Sequence, residues 1–503
     1  MGDTAPLTEK PDWRHVVERK RTKREALVQP YLDDSKQQQD ITSISDVSKL
    51  ASLVAKGELK AYDVIMAYVR RAAAAHKQTN CLTEVMFDEA INRASDLDEY
   101  LVAHGGTIGP LHGIPMTLKD QFDPAFRNAL LVDILQSAGA VILAKTNLPQ
   151  SIMWCETENP LWGLTTNPRD PQLTPGGSTG GDGALLTQHG SLVGWGTDIG
   201  GSVRIPSHML GLYGLKPSSG RLPYEGVQVS TAGQEHVPSV VGPLARSLDS
   251  IELIMREIIK AQPWTHDPTC HRLARDEAAY SQTLDNPLVI GLLVDDGHVK
   301  VHPPIQRVLL EAAEKLKSAG HTVITWNDDG HTECIKIMDS YYTADGGEDI
   351  KRAVAEGGEP FIPHVEALVN RAPAISVYEY WQLNKRKRAA HKAVDVLLMP
   401  TMPHPAVKHR SCKWVGYTKV WNLLDYTALV LPYGNVDKSV DIGKTDNEVR
   451  NYKPRNVLDD WNWSLYDSDA MDGLPLSVQV VGRRLEEEKV LAAGKVIDGV
   501  LRS

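Results

Sequence analysis

Three short segments of this 503-residue chain carry side chains that could do chemistry: Gly113–Asp120 (GIPMTLKD), Gly176–Gly181 (GGSTGG) and Gly196–Arg204 (GTDIGGSVR). The first ends an apolar run on a lone lysine, Lys119. Burial disfavours the charged form of a lysine, and a neutral lysine is a competent general base. On the motif alone the plainer reading is a surface lysine at a strand end. The other two segments set Ser178 and Ser202 among glycines. Glycine lets the backbone take positive φ and turn several N–H groups toward one point. A serine beside such a nest has the makings of a nucleophile with its oxyanion hole. A pair of tight turns, or a phosphate cradle, would use the same residues.

Other motifs fail on inspection. Gly194-Trp-Gly196 approaches a dinucleotide fingerprint, but its third glycine is displaced to Gly200. Gly214-Leu-Lys216-Pro217 lacks the Gly-Lys-Ser/Thr of a phosphate loop. Gly176–Gly180 satisfies GxSxG, yet that elbow needs a strand before it, and Thr165–Pro175 reads as loop. No lysine lies three residues after a serine, and there is no HExxH. The 17 histidines are scattered without metal spacing, so neither a metal nor a cofactor is expected.

These segments need a scaffold, and the rest of the chain supplies its signals. Short apolar bursts bounded by glycine predict buried strands at Ile114–Leu118, Val141–Ala144 and Leu192–Gly196. Leu130, Leu131, Ile134 and Leu135 predict a helix between the first two. Further strands are expected at Leu288–Val294, His321–Trp326, Val394–Met399 and Ser477–Val481. Helices are expected near 61–76, 87–103, 301–319, 332–343, 362–370, 376–393 and 486–500, with Ser45 and Asp46 capping another. Residues 1–40, charged and polar from 11 onward, read as an N-terminal helical arm. No repeat or dense linker divides the remainder, so the expectation is one α/β domain with a central mixed sheet flanked by helices.

Composition narrows the function. Hydrophobic residues at 42% and charged residues at 23% are ordinary globular values, which excludes disordered and coiled-coil chains. A net charge of −10 lacks the footprint of a nucleic-acid binder. No stretch is long and apolar enough to predict a membrane span. The five cysteines form no CxxC pair, which fits a reducing compartment, and the opening lacks a secretory apolar core. A cytoplasmic protein is expected.

Taken together, the segments resemble the amidase signature family, most closely its fungal acetamidase-like branch. The resemblance spans nearly the whole chain. It runs through Ala144–Ser151 (AKTNLPQS), Thr174–Ala184 (TPGGSTGGDGA), Gly196–Pro206, Gly211–Pro217, Gly473-Leu-Pro and Gln479–Gly482. It implies one amidase domain over 41–503 with a catalytic core near 105–242. It implies a Ser–Ser–Lys triad: Ser202 as acylated nucleophile, Lys119 as base, and Ser178, on a cis peptide bond, bridging them. The backbone amides of Ile199, Gly200, Gly201 and Ser202 would form the oxyanion hole. Ile152, Met153 and Trp154, with Ser178, would bind substrate. The implied activity is hydrolysis of a small carboxamide to a carboxylate and ammonia or an amine; family members are often homodimers. Two alternatives are an ester or carbamate hydrolase or acyl transferase on the same site, and a shortened homologue of weak or no activity. Asp198 and Arg204 are expected to pair and hold the loop, and Asp120 to fix a loop rather than act chemically.

The chain departs from the family pattern in two places. After Asp123 the family carries a loop of roughly twenty-odd residues, but here Pro124–Asn128 leads straight into Ala129. A second shortening falls at Ala389–Val394. Loss of the first loop predicts a wetter Lys119, an alkaline-shifted pH profile and weak activity.

Overall fold

A lysine can be held at the end of an apolar strand only if neighbouring strands cover it on both edges. In the computed structural model, which describes residues 12–32, 39–122, 128–231, 233–389, 396–441, 449 and 451–503, this is how the chain is built. Among the described residues thirteen strands form: β1 (Leu82–Val85), β2 (Pro115–Lys119), β3 (Val141–Thr146), β4 (Glu158–Asn159), β5 (Gly163–Leu164), β6 (Val193–Asp198), β7 (Tyr213–Lys216), β8 (Val240–Ala245), β9 (Val289–Leu292), β10 (Thr322–Thr325), β11 (Val396–Pro400), β12 (Ala428–Asn435) and β13 (Pro475–Gly482). β4 and β5 pair as a small separate ribbon. The other 11 form one sheet in the order β1-β3-β2-β6-β8-β7-β12-β13-β11-β9-β10.

The sheet is mixed. β2 runs parallel to both neighbours, β3 and β6, with Lys119 opposite Thr146 and Leu118 opposite Trp195. The middle of the sheet, from β6 through β8, β7, β12 and β13 to β11, is antiparallel. Parallel strands buried on both faces read as continuous apolar runs, which is why β2 and β3 were legible from composition alone.

Helices cover both faces. Ala61–Thr79 buries Val64, Ile65, Tyr68, Val69, Ala72 and Ala73 at helical spacing. On the other half, Pro303–Ser318 and Glu487–Arg502 pack against β13 and its neighbours. The helix Val47–Ala55 starts on Asp46, whose carboxylate accepts from Lys49 N–H at 2.8 Å; Ser45 is not the capping residue. The N-terminal helix Trp13–Val28 is fastened to the sheet through Arg24, which is buried and donates Nη1 to the Leu82 carbonyl at 2.8 Å.

The expected single mixed-sheet α/β architecture is therefore the one observed, with differences of detail. Helices Leu248–Lys260 and Glu348–Gly357 and strands β7, β8 and β12 were not anticipated. The helix expected over 376–393 is described as Val377–Ala389, and β11 begins at Val396. Residues 390–395, where the second shortening falls, and 123–127, where the first falls, lie outside the described residues. No helix among the described residues is long and apolar enough to cross a membrane.

Candidate active site

Lys119 is the last residue of β2, and its side chain is fully buried. Its Nζ lies 2.5 Å from Ser178 Oγ and 3.2 Å from Thr197 Oγ1, within hydrogen-bond reach of both hydroxyls. Desolvation pushes its pKa down to about 7, against the opposing pull of the Asp182 and Asp198 carboxylates. The lysine expected to be wet is thus dry. The segment just after it is fastened down: Phe122 bridges to Val227, and Gln121 exchanges hydrogen bonds with Gln228.

Ser178 lies in the loop that leads into the helix Gly180–Thr187, and the Gly177–Ser178 peptide bond is cis, as the resemblance implied. The next residue, Thr179, packs on β6 at Gly196; a Cβ there would lie 2.4 Å from Thr179 Oγ1. That close approach explains a glycine in the middle of a buried strand. Thr179 N–H also donates to the Ser202 carbonyl at 3.1 Å, so the two serine segments are joined through their backbones.

Ser202 follows the end of β6. Lys119 and Ser178 are each 0% exposed whereas Ser202 is 8% exposed, which leaves Ser202 as the member of the three that reaches a cavity. The structure brings Lys119 and Ser178 into direct contact. It makes no hydrogen bond between the Ser178 and Ser202 hydroxyls.

The nest before Ser202 is held from outside. Tyr342 donates its hydroxyl to the Ile199 carbonyl at 2.9 Å, and Thr418 donates to the Gly200 carbonyl at 2.7 Å. A peptide unit is planar, so fixing a carbonyl fixes the N–H across the bond. A Cβ on Gly200 would stand 2.3 Å from the Tyr342 hydroxyl, so a side chain there would push that group off the Ile199 carbonyl. Of the four amides expected in the oxyanion hole, that of Gly201 is already engaged: it donates to Asp198 Oδ1 at 2.8 Å. Ile199, Gly200 and Ser202 make no such bond to protein.

Asp198 anchors this loop. Arg204 grips it with two hydrogen bonds, Nη2 to Oδ1 at 2.9 Å and Nε to Oδ2 at 3.0 Å, and both side chains are fully buried. Arg204 completes its set on Gln479, Asn422 and the Thr418 carbonyl. The guanidinium holds the Asp198 carboxyl well below the usual carboxylate range. Asp120 is likewise a fixing group, held by Lys145 at 2.9 Å and by the Trp162 indole at 3.2 Å. Behind Lys119, Asp182 accepts from Thr117 at 2.7 Å and Thr146 at 2.6 Å, and burial pushes it up to about 6.

A cavity of about 150 Å³ opens at Ser202. Ile152, Met153 and Trp154, expected at the substrate, stand in its wall with Tyr342 and Trp414. Ser151 and Ile152 bring that wall in through a turn with φ of 59° and 68°. A larger cavity of about 440 Å³, lined in part by the polar groups of Gln234, His271 and Arg484, also reaches Ile199. Among the described residues, no group of three or more His, Cys, Asp or Glu side chains is arranged to hold a metal ion.

Sequence reasoning missed Gln121, Thr197, Tyr342 and Thr418. Thr197 and Gln121 stand within two residues of expected site members, so proximity was their signal. Tyr342 and Thr418 lie 143 and 218 residues from the carbonyls they hold and carried none.

Comparison with known proteins bears on the family and the fold. Residues 63–491 match the amidase family. Amidase 1 of Gibberella moniliformis is 49% identical over 521 aligned positions, covering 97% of this chain and 99% of that protein. The aligned span exceeds the length of this chain, so the relative has positions for which this chain has no counterpart. The acetamidase of Emericella nidulans is 37% identical, covering 91% of this chain and 89% of that one. Among solved structures, a fatty acid amide hydrolase superposes with a TM-score of 0.89 at 32% identity, covering 99% of this chain and 92% of that one.

Proposed function

We propose, from the premise that the chain belongs to the amidase family and is a hydrolase of carbon–nitrogen bonds, that it cleaves a carboxamide through an acyl-enzyme on Ser202. The observation that carries this reading is the contact between a buried lysine, its pKa pushed down to about 7, and the Ser178 hydroxyl 2.5 Å away. A serine hydroxyl is a weak nucleophile until a base removes its proton. Neutral Lys119 takes the Ser178 proton as Ser178 takes that of Ser202. Ser202 Oγ then adds to the amide carbonyl. The oxyanion forms against the amides of Ile199, Gly200 and Ser202, whose positions are fixed before reaction, so little reorganisation is needed. Collapse breaks the C–N bond, and Ser178 delivers a proton to the departing nitrogen. Water, deprotonated along the same relay, releases the carboxylate and regenerates the Ser202 hydroxyl.

The acyl group lies in the cavity beside Ile152, Met153 and Trp154. Ammonia or an amine leaves from the opposite face. We place the protein in the cytoplasm, on its reduced cysteines. The test is reaction with a fluorophosphonate probe, followed by mapping of the modified residue. Modification at Ser202, abolished by Ser202→Ala in a chain that still melts cooperatively, supports the assignment. Modification elsewhere, or amide turnover that survives the substitution, overturns it.

A further inference from the structure

A neutral lysine has two N–H donors and one lone pair, and a base is effective only if the lone pair faces the proton it must take. The surroundings of Lys119 decide which way it faces. The Gln228 backbone carbonyl can only accept, and it lies 2.6 Å from Gln121 Nε2. That fixes the orientation of the Gln121 amide, so Gln121 Oε1 is the atom turned to Thr197 Oγ1, at 2.7 Å. A hydroxyl has one hydrogen. Thr197 donates it to Gln121, and only its lone pairs remain for Lys119 at 3.2 Å. Lys119 therefore donates one N–H to Thr197, which keeps its lone pair off that hydroxyl and free to face Ser178, 2.5 Å away. We propose that Gln121 is a positioning residue for the reaction: through Thr197 it sets the hydrogen-bond polarity that aims the Lys119 lone pair at Ser178.

The steps from Gln121 inward are buried, and only the Gln228 end nears solvent. Gln121 is 5% exposed, Thr197 1% and Lys119 0%, so water does not compete for these atoms. The backbone of Gln121 is locked as well, its carbonyl accepting from Gln228 N–H at 2.8 Å and its N–H donating to the Lys119 carbonyl at 2.7 Å. Without the Gln121 acceptor, the Thr197 hydrogen turns to the best acceptor left, the lysine lone pair, and blocks the base.

The inference rests on Lys119 acting as the base, and the test separates the two. Turnover of a simple amide is measured for Gln121→Met, Thr197→Val, Thr197→Ser and the double variant Gln121→Met/Thr197→Val, with thermal melts of each. Gln121→Met is expected to lower kcat about 10- to 100-fold with little change in KM. Adding Thr197→Val removes the misdirected hydroxyl, so the double variant is expected to be about 5-fold or more faster than Gln121→Met alone, against the usual sense of combined lesions. Thr197→Val alone costs less than Gln121→Met, and Thr197→Ser retains most activity. A double variant no faster than Gln121→Met, or a Gln121→Met chain with wild-type kcat, overturns the proposal. If Gln121→Met does not fold, the order of Thr197→Val and Thr197→Ser decides: a Ser variant no better than the Val variant also overturns it. Wild-type turnover by Lys119→Ala would sink the base assignment itself.

Discussion

Tyr342, at the C-terminal end of the helix His331–Tyr342, holds the carbonyl of Ile199, at the foot of β6, with a hydrogen bond of 2.9 Å. Burial keeps the phenol well above its ordinary pKa, so it stays a donor across the working range. Removing that hydroxyl frees the 199–200 peptide to rotate and takes the Gly200 amide out of register with a developing oxyanion. Tyr342→Phe is expected to lower kcat about 10-fold, the worth of roughly one buried hydrogen bond, with a smaller change in KM. Steady-state kinetics on one amide decide it; an unchanged kcat would show that the loop holds its shape without Tyr342.

The pH dependence follows from Lys119. With its pKa pushed down to about 7, activity should rise with pH through about 7 and level off above about 8. The earlier expectation of an alkaline-shifted profile assumed a wetter lysine than the fold provides. The sign for stability is the same. Below the folded pKa the charged ammonium is buried and disfavoured. Between about 7 and the ordinary 10.5 the unfolded chain holds the proton and the folded chain does not, so this residue's contribution to stability rises with pH. Comparing the slope of unfolding free energy against pH in wild type and Lys119→Met isolates it; identical slopes from pH 7 to 10 would contradict a neutral lysine.

Arg204 predicts a large loss of stability. Arg204→Met leaves Asp198 charged, buried and short of its main partner, which costs about 3–5 kcal/mol. Denaturant midpoints read this directly. A loss under about 1 kcal/mol would mean that Asn422 and the three backbone amides suffice to hold the carboxylate.

The cavity wall predicts a preference among acyl groups. Its charged members are Arg371, Lys413 and Lys419, with Asp339 the one carboxylate. Asp339 is shared by Lys419 at 2.6 Å and Arg371 at 3.4 Å, while Lys413 rests over the Trp461 ring. Cations outnumber anions there, so an amide whose acyl chain ends in a carboxylate should be hydrolysed with a higher kcat/KM than one of equal length ending in an ammonium. About fivefold or more is expected at low salt, reduced by Lys413→Glu and by added salt. Equal rates for the pair would leave the rim without a role in selection.

What could be seen in the sequence was whatever chemistry imposes locally. Lys119 stood out because a lysine closing an apolar run is costly, and Ser178 and Ser202 because glycine-rich turns are needed for close backbone approach. β7 was missed because Gly214-Leu-Lys216 was weighed as a phosphate motif and not as a strand. The helix Leu248–Lys260 had a plain signal, with Ile251, Ile254, Met255 and Ile258 on one face, and went unread. Tyr342, Thr418 and Arg371 reach the site across long stretches of sequence. Their roles depend on tertiary packing, which no local pattern encodes.

Lys119, Thr197 and Asp198 stand on the strands β2 and β6 of the central sheet. The wall around Met153, Leu368, Lys413 and Leu458 comes from loops and helices outside it. A descendant of this chain can therefore exchange its appetite without rebuilding its blade. Drift in the 152–155, 368–371 and 413–419 stretches would yield new substrates on an inherited reaction, whereas change on β2 or β6 would end the lineage's chemistry before any new taste could be selected.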